Sequence, residues 1–172
     1  MIVSAGHTEA SYDQMQIALA HGVTGFTHLF NAMSPMTSRE PGVVGAALEH
    51  ADSWCGLIVD GHHVHPVTLR QAIKAKAKGK MMLVTDAMHT VGQGAGRFDL
   101  MGGPIVSENG KVTTLNGTLA GSDLDMASAV RNTVQQVGLE LEEALRMASL
   151  YPAQFLKLDH KIGRIAKGFQ AD

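Results

Sequence analysis

Thr24-Gly25-Phe26-Thr27-His28-Leu29-Phe30-Asn31-Ala32-Met33, followed by Arg39-Glu40-Pro41-Gly42, is the stretch whose reading decides the fold. Thr24 to Leu29 reads as a buried strand that delivers a histidine. The chain then opens into a long polar loop punctuated by Pro35 and Pro41-Gly42. A strand that presents a chemically active side chain at its carboxyl end, just before a loop, is how α/β barrels build their sites.

The same pattern recurs on either side. Ile2-Val3-Ser4-Ala5-Gly6 reads as a short buried strand ending at His7. Trp54-Cys55-Gly56-Leu57-Ile58-Val59 is a near-continuous apolar run, as expected of a parallel strand buried on both faces, and leads into Asp60-Gly61-His62-His63-Val64-His65. Met81-Met82-Leu83-Val84-Thr85 delivers Asp86. Helices are predicted between these strands. One has Ser11 and Gln14 as a capping box and closes at His21-Gly22. A second runs from Val43 to near His50. A third has Pro66 in its first turn and extends to about Lys78, with Lys74, Lys76 and Lys78 placed to favour the negative end of its dipole. Strand and polar residue thus recur four times with helices between them, about four βα units, which argues for a parallel sheet. Four such units are half of an eight-unit barrel. The fold class is therefore α/β, half of a TIM-like barrel over residues 1–165.

Beyond Asp86 the pattern changes. Val91 to Gly96 reads as a glycine-rich loop. A β-hairpin with an Asn109-Gly110 turn is predicted near 105–113. Helices fill 123–158: the first is capped by a Ser122–Asp125 box and buries Leu124, Ala127, Val130, Val134 and Val137. It ends at Gly138, and a second spans about Leu141 to Leu150 before Tyr151-Pro152 breaks it. The tail from Ile162 to Asp172 reads as a strand and turn. A methionine followed at once by core strand is unusual for a natural start, since termini tend to lie outside the core.

Composition narrows the function classes. The chain has 172 residues, 45% of them hydrophobic and 17% charged, enough apolar material for a sizeable core. A net charge of −2 and the lack of a basic run argue against nucleic acid. No apolar stretch approaches the roughly 18 residues of a membrane span, and the first residues lack a charged leader region. The single cysteine, Cys55, cannot form an internal disulfide, which suits a reducing cytoplasm.

His7, His28 and Asp86 occupy equivalent places in separate strand units. In a parallel array these ends share one face, so the side chains can converge. Two imidazoles and a carboxylate suit a hydrolytic divalent metal, Zn²⁺ or Fe²⁺. Such an ion lowers the pKa of bound water from about 15.7 to about 7. A neighbouring carboxylate can then act as general base and protonate the leaving group. Asp60-Gly61 places His63 near the mouth of the same site. Arg39 is either a surface charge paired with Glu40 or a contact for a substrate anion. Asp123 and Asp125 read as helix-start residues.

At these positions the chain strongly resembles the N-acetylglucosamine-6-phosphate deacetylases of the amidohydrolase superfamily. The matching stretches are Ser4-Ala5-Gly6-His7-Thr8, Thr27 to Met33, Arg39 to Gly42, Asp60 to His63, Val84-Thr85-Asp86-Ala87, Leu119-Ala120-Gly121-Ser122 and Met147 to Ala153. They run in family order over nearly the whole chain. The tail Gly163-Arg164-Ile165-Ala166-Lys167-Gly168 with Ala171-Asp172 resembles the family's return to a small β-domain, which 166–172 would begin.

The resemblance implies His7 and His28 as metal ligands and Asp86 as general base and acid. It implies that Asn31 and Ala32 bind the sugar phosphate, that His63 contacts the substrate, and that Leu119, Ala120 and Gly121 line its pocket. Arg39 would reach the phosphate in a neighbouring subunit, making the protein a homodimer. The implied reaction is hydrolysis of the acetamide of N-acetylglucosamine 6-phosphate to glucosamine 6-phosphate and acetate. The family's third protein ligand is a glutamate from the earlier half of the barrel, outside this stretch, so these 172 residues alone are expected to show little or no activity. The alternatives are an amidohydrolase acting on a cyclic amide or a different acetylated sugar, a non-catalytic remnant that binds sugar phosphate or self-associates, and a purely structural half-domain with no ligand.

Overall fold

The computed structural model describes residues 1–100 and 102–170. The expectations placed on Ala171 and Asp172 lie outside the described residues. Four strands, β1 (Val3–Ala5), β2 (Val23–Phe26), β3 (Trp54–Leu57) and β4 (Met81–Leu83), form a parallel sheet in the order in which they occur in the chain. Between them run α1 (Tyr12–Ala20), α2 (Gly42–Glu49) and α3 (Pro66–Ala75). The strands lie in sequential order, and the helices between them pack on one another, α1 on α2 and α2 on α3. Doubly wound sheets instead reverse their strand order at a switch point. All four carboxyl ends therefore share one edge.

The core explains the apolar runs. Phe26, Cys55, Leu57 and Ile58 are fully enclosed, and Val43, Ala46 and Ala47 of α2 pack with Leu69 and Ala72 of α3 in the same cluster. Burial pushes the Cys55 thiol up to about 11, despite the nearby Lys76 charge, so it stays protonated and inert at neutral pH.

Local chemistry sets the helix ends. Ser11 and Gln14 form the expected capping box of α1. Pro66 opens α3, and the ring of His65 accepts from Val67 N–H as its N-cap, which accounts for that histidine. α3 stops at Ala75, short of the expected Lys78. Lys76 is buried rather than solvated, because its ammonium donates to Ala47 O, His50 O and Ser53 Oγ and so satisfies carbonyls at the end of α2.

The second half departs further from expectation. The hairpin is part of a four-stranded antiparallel sheet: β5 (Gly96–Leu100), β6 (Gly103–Glu108), β7 (Lys111–Thr114) and β8 (Leu119–Ser122). Its Asn109-Gly110 turn is as expected, with both residues at positive φ (53° and 75°). β8 leads to α4 (Met126–Asn132), whose N-cap is Asp125, accepting from Ser128 N–H; Ser122 instead ends β8, so the expected Ser122–Asp125 box does not form. The helix continues as a π-helical turn, Thr133–Val137, and ends at Gly138 in the left-handed conformation. Its buried line is Ala129, Thr133 and Val137, whereas Ala127 faces solvent. The break between α5 (Leu141–Ala148) and α6 (Leu150–Phe155) falls at Ser149, and Tyr151-Pro152 lie in the first turn of α6, where proline is tolerated. From Ile162 to Gln170 the tail is turn and bend, with no strand among the described residues.

Gly42, at the start of α2, has φ +60°, and an added Cβ would lie 2.7 Å from Pro35 O and 2.8 Å from Ser34 O. Backbone atoms on both counts leave no cheap relief. Gly42→Ala is expected to lower stability by about 2 kcal/mol or more in denaturant unfolding; an unchanged midpoint would contradict this packing.

Candidate active site

The loops after β1 and β2 are strapped together. Thr8 N–H donates to Ala32 O (3.0 Å), Ser34 N–H to Thr8 O (3.3 Å), and Thr8 pairs with Met33 as an isolated parallel bridge. Beyond β2, Thr27 N–H reaches back to Ala5 O (2.9 Å) and Leu29 N–H reaches across to Gly56 O (2.8 Å). His28 is thus pinned between both neighbouring strands. Its ring meets that of His7 edge-on, with centroids 4.9 Å apart. His28 is buried at 7% exposure and His7 is open to solvent.

Backbone strain is concentrated here. Non-glycine residues at positive φ include His7 (47°), His28 (28°), Phe30 (81°), Ala32 (49°) and Asp86 (52°). Each such conformation costs on the order of 1 kcal/mol or more and persists only where its surroundings enforce it. Such strain aims a side chain out of the strand direction, and all three strand-end residues singled out in the sequence carry it.

The donor set fits part of a metal site. His28 Nδ1 is enclosed and has no hydrogen-bond partner among the described residues, an arrangement that costs free energy unless a ligand engages the ring. With His7 alongside, two imidazoles are available to one ion. Among the described residues no group of three His, Cys, Asp or Glu side chains could hold a metal, so this pair is not completed into a full ligand set.

Asp86 stands on the same sheet edge, two strands from His28, with its side chain exposed. β8 is stitched to it: Ser122 N–H donates to Asp86 O (2.8 Å), Met88 N–H donates to Ser122 O (2.9 Å), and Ser122 Oγ hydrogen-bonds Thr85 O. This brings Gly121 beside Asp86, with Leu119 and Ala120 preceding it along β8. Gly121, at φ +77°, is required: an added Cβ would lie 2.6 Å from Met88 Cγ and 3.0 Å from Asp86 O.

Asn31 is half-buried, and its amide donates to His28 O and Leu29 O, leaving Oδ1 without a partner among the described residues. Arg39 is exposed and makes no ion pair among the described residues. Glu40 is not its partner; it accepts from Tyr12 N–H and Gly42 N–H, both at 2.9 Å. His89 packs edge-on against Phe98, with centroids 5.3 Å apart. His62 is exposed beside the Asn109-Gly110 turn.

His63 has a partner that the sequence reading did not single out. Its Nδ1 lies 2.6 Å from Asp60 Oδ2, and both side chains are 4% exposed. Asp60 Oδ1 accepts from His62 N–H (2.8 Å) and His63 N–H (2.9 Å). The available signal was the Asp-Gly-x-His spacing, in which the carboxylate can reach both the backbone and the ring three residues on. Burial opposes ionisation of Asp60, but the bonds from the His63 ring, His63 N–H and His62 N–H outweigh it and hold the carboxyl at about 2. Asp123 Oδ1 is also enclosed, without a partner among the described residues.

The whole chain, residues 1–172, matches the Amidohydrolase family, and the chain belongs to that family. Within it, the chain is similar to a Shewanella sp. (strain ANA-3) protein named N-acetylgalactosamine-6-phosphate deacetylase, at 45% identity over 99% of this chain and 43% of that protein. It superposes on the N-acetylglucosamine-6-phosphate deacetylase of Pasteurella multocida with a TM-score of 0.94, at 43% identity over 98% of this chain and 44% of that one. For the D267A mutant of the Mycobacterium smegmatis deacetylase, solved in complex with N-acetyl-D-glucosamine-6-phosphate, the TM-score is 0.87 at 36% identity, over 92% and 43% of the two chains. The chain thus spans less than half the length of these relatives. No helix among its described residues is long and apolar enough to cross a membrane.

Because its folded carboxyl value is depressed, Asp60 contributes stability that is fully present above the unfolded value near 4 and is lost as pH falls through about 2. The contribution is on the order of 2 kcal/mol. Asp60→Asn is expected to flatten the acid limb of a stability-versus-pH curve across that window. An acid limb identical to that of the parent would contradict the pairing.

Proposed function

We propose that this chain forms the second half of the catalytic barrel of a metal-dependent deacetylase, which hydrolyses the acetamide of an N-acetylhexosamine 6-phosphate to the free amine and acetate. The observation that carries the reading is the pairing of His7 with His28, whose Nδ1 is enclosed and has no partner among the described residues, at the carboxyl edge of a parallel sheet. His7 and His28 would hold a divalent ion, zinc or iron, which supplies Lewis acidity to the acetamide carbonyl and acidity to a water. A third protein ligand, a glutamate by resemblance, would come from outside this stretch.

In this reading Asp86 accepts the proton of the attacking water and returns it to the departing nitrogen, a cycle suited to its solvent-facing carboxylate. Leu119, Ala120 and Gly121 wall the pocket beside it. Asn31 and Ala32 hold the sugar phosphate, and His63 contacts the sugar. The exposed guanidinium of Arg39, without an ion pair among the described residues, suits a phosphate, and by resemblance that phosphate sits in the neighbouring subunit of a homodimer.

N-acetylglucosamine 6-phosphate is the substrate that the motifs suggest. The 45% identity to a relative named for the galactosamine epimer supports N-acetylgalactosamine 6-phosphate as the second reading. The two differ only at one sugar hydroxyl.

The chain alone, with Zn²⁺, is expected to release little or no acetate from either phosphorylated sugar. Co-expression with the first half of the Shewanella relative is expected to restore turnover, and Asp86→Asn to reduce the restored rate by about 100-fold or more. Full-rate turnover by the isolated chain would refute the half-site reading. Equal rates on the unphosphorylated sugar would favour another amidohydrolase. Binding without turnover in the reconstituted pair would favour a non-catalytic remnant.

A further inference from the structure

We infer that Asp60 is a positioning residue: it holds His63 in the Nδ1–H tautomer, so that the neutral ring offers its Nε2 lone pair to a hydrogen-bond donor on a bound ligand. The inference rests on the reading under Proposed function only for what that ligand is.

The geometry leaves little choice. A neutral imidazole has one N–H, and an ionised carboxylate only accepts. For the neutral ring, Asp60 Oδ2 at 2.6 Å from Nδ1 places the one proton on Nδ1 and leaves Nε2 bare. The carboxylate cannot turn away to release the ring, because its other oxygen is fixed by His62 N–H and His63 N–H. Both side chains are almost wholly enclosed, so water does not compete for the bond.

His63 Nε2 has no hydrogen-bond partner among the described residues, yet it is not one of the enclosed unpartnered atoms. The accessible sliver of the ring therefore includes it. His63 follows β3, the strand between those that carry His28 and Asp86. A ring held this way reads a donor, such as a sugar hydroxyl or an amide N–H. While neutral, it has nothing to donate to a carbonyl oxygen.

A purely structural Asx turn would need only one oxygen of residue 60, which an asparagine also supplies. The two roles separate in Asp60→Asn. The amide oxygen must stay on the two backbone N–H groups, so the amide nitrogen takes the place of Oδ2. That group donates, and it drives the His63 proton to Nε2.

The test is long-range ¹H–¹⁵N correlation of the full chain labelled at histidine nitrogen, with His63→Gln identifying the His63 signals. At a pH where the ring is neutral, the parent is expected to show a pyrrole-type Nδ1 and a pyridine-type Nε2. Asp60→Asn is expected to exchange the two, with its backbone amide spectrum otherwise preserved. An Nε2–H tautomer or a tautomeric mixture in the parent would overturn the proposal, and this arm stands even if the variant does not fold. A folded variant with an unchanged tautomer would overturn it as well. Titration with glucosamine 6-phosphate is expected to shift the parent Nε2 signal. A fixed tautomer with no such shift would overturn the sugar-phosphate assignment and leave the role of Asp60 in setting the tautomer supported.

Discussion

Two backbone hydrogen bonds, from Thr8 to Ala32 O and from Ser34 to Thr8 O, bind the loops after β1 and β2 into one unit. His7 and His28 lie one and four to six residues from those bonds, so their encounter is a consequence of the strap. Parallel pairing alone would bring the two strand ends to the same edge but would leave the loops free. The strap, with the bonds from Thr27 to Ala5 O and from Leu29 to Gly56 O, fixes where the His28 ring can point. The rest of the site is arranged around that fixed pair.

The strain stored along this edge needs a rigid support, and the sheet supplies it. β3 and β4 are enclosed on both faces, so the strand ends cannot relax without opening the core. α2 contributes from behind: the enclosed Val43, Ala46 and Ala47 pack in the same cluster, and buried Lys76 ties the end of α2 to the end of α3. The antiparallel sheet has a different task. By pairing Ser122 with the segment around Asp86 it carries Gly121 to within contact of the Asp86 backbone, and only glycine fits there. Left-handed φ values at His7, His28 and Asp86 are thus enforced from two directions, by the core beneath and by the cross-linked loops above.

Much of this was legible in the sequence. Four apolar runs each ending in a polar residue, with helical patterns between them, specify a parallel array, and strand ends in such an array share an edge. The capping box at Ser11, the helix start at Pro66 and the Asn109-Gly110 turn were readable because each rests on chemistry within four residues. What escaped the sequence depends on distant partners. Lys76 looks like a solvated helix-end charge until α2 presents its carbonyls. β5 and β8 are pulled into strands by the hairpin they flank, and their own patterns are weak. Ser122 looks like a helix cap, yet its hydroxyl is committed to Thr85 O, leaving the cap to Asp125. The Asp60–His63 pair was local enough to be found, but the adjacent histidines masked which ring the carboxylate would take.

The claim on which the functional account turns is that His7 and His28 share one cation. Anomalous diffraction from crystals of the chain soaked in Co²⁺ or Zn²⁺ addresses it directly. The account predicts a single strong peak within bonding distance of a ring nitrogen of each residue, lost in His28→Ala. A peak bound by other histidines, or none at this pair at saturating metal, would contradict it.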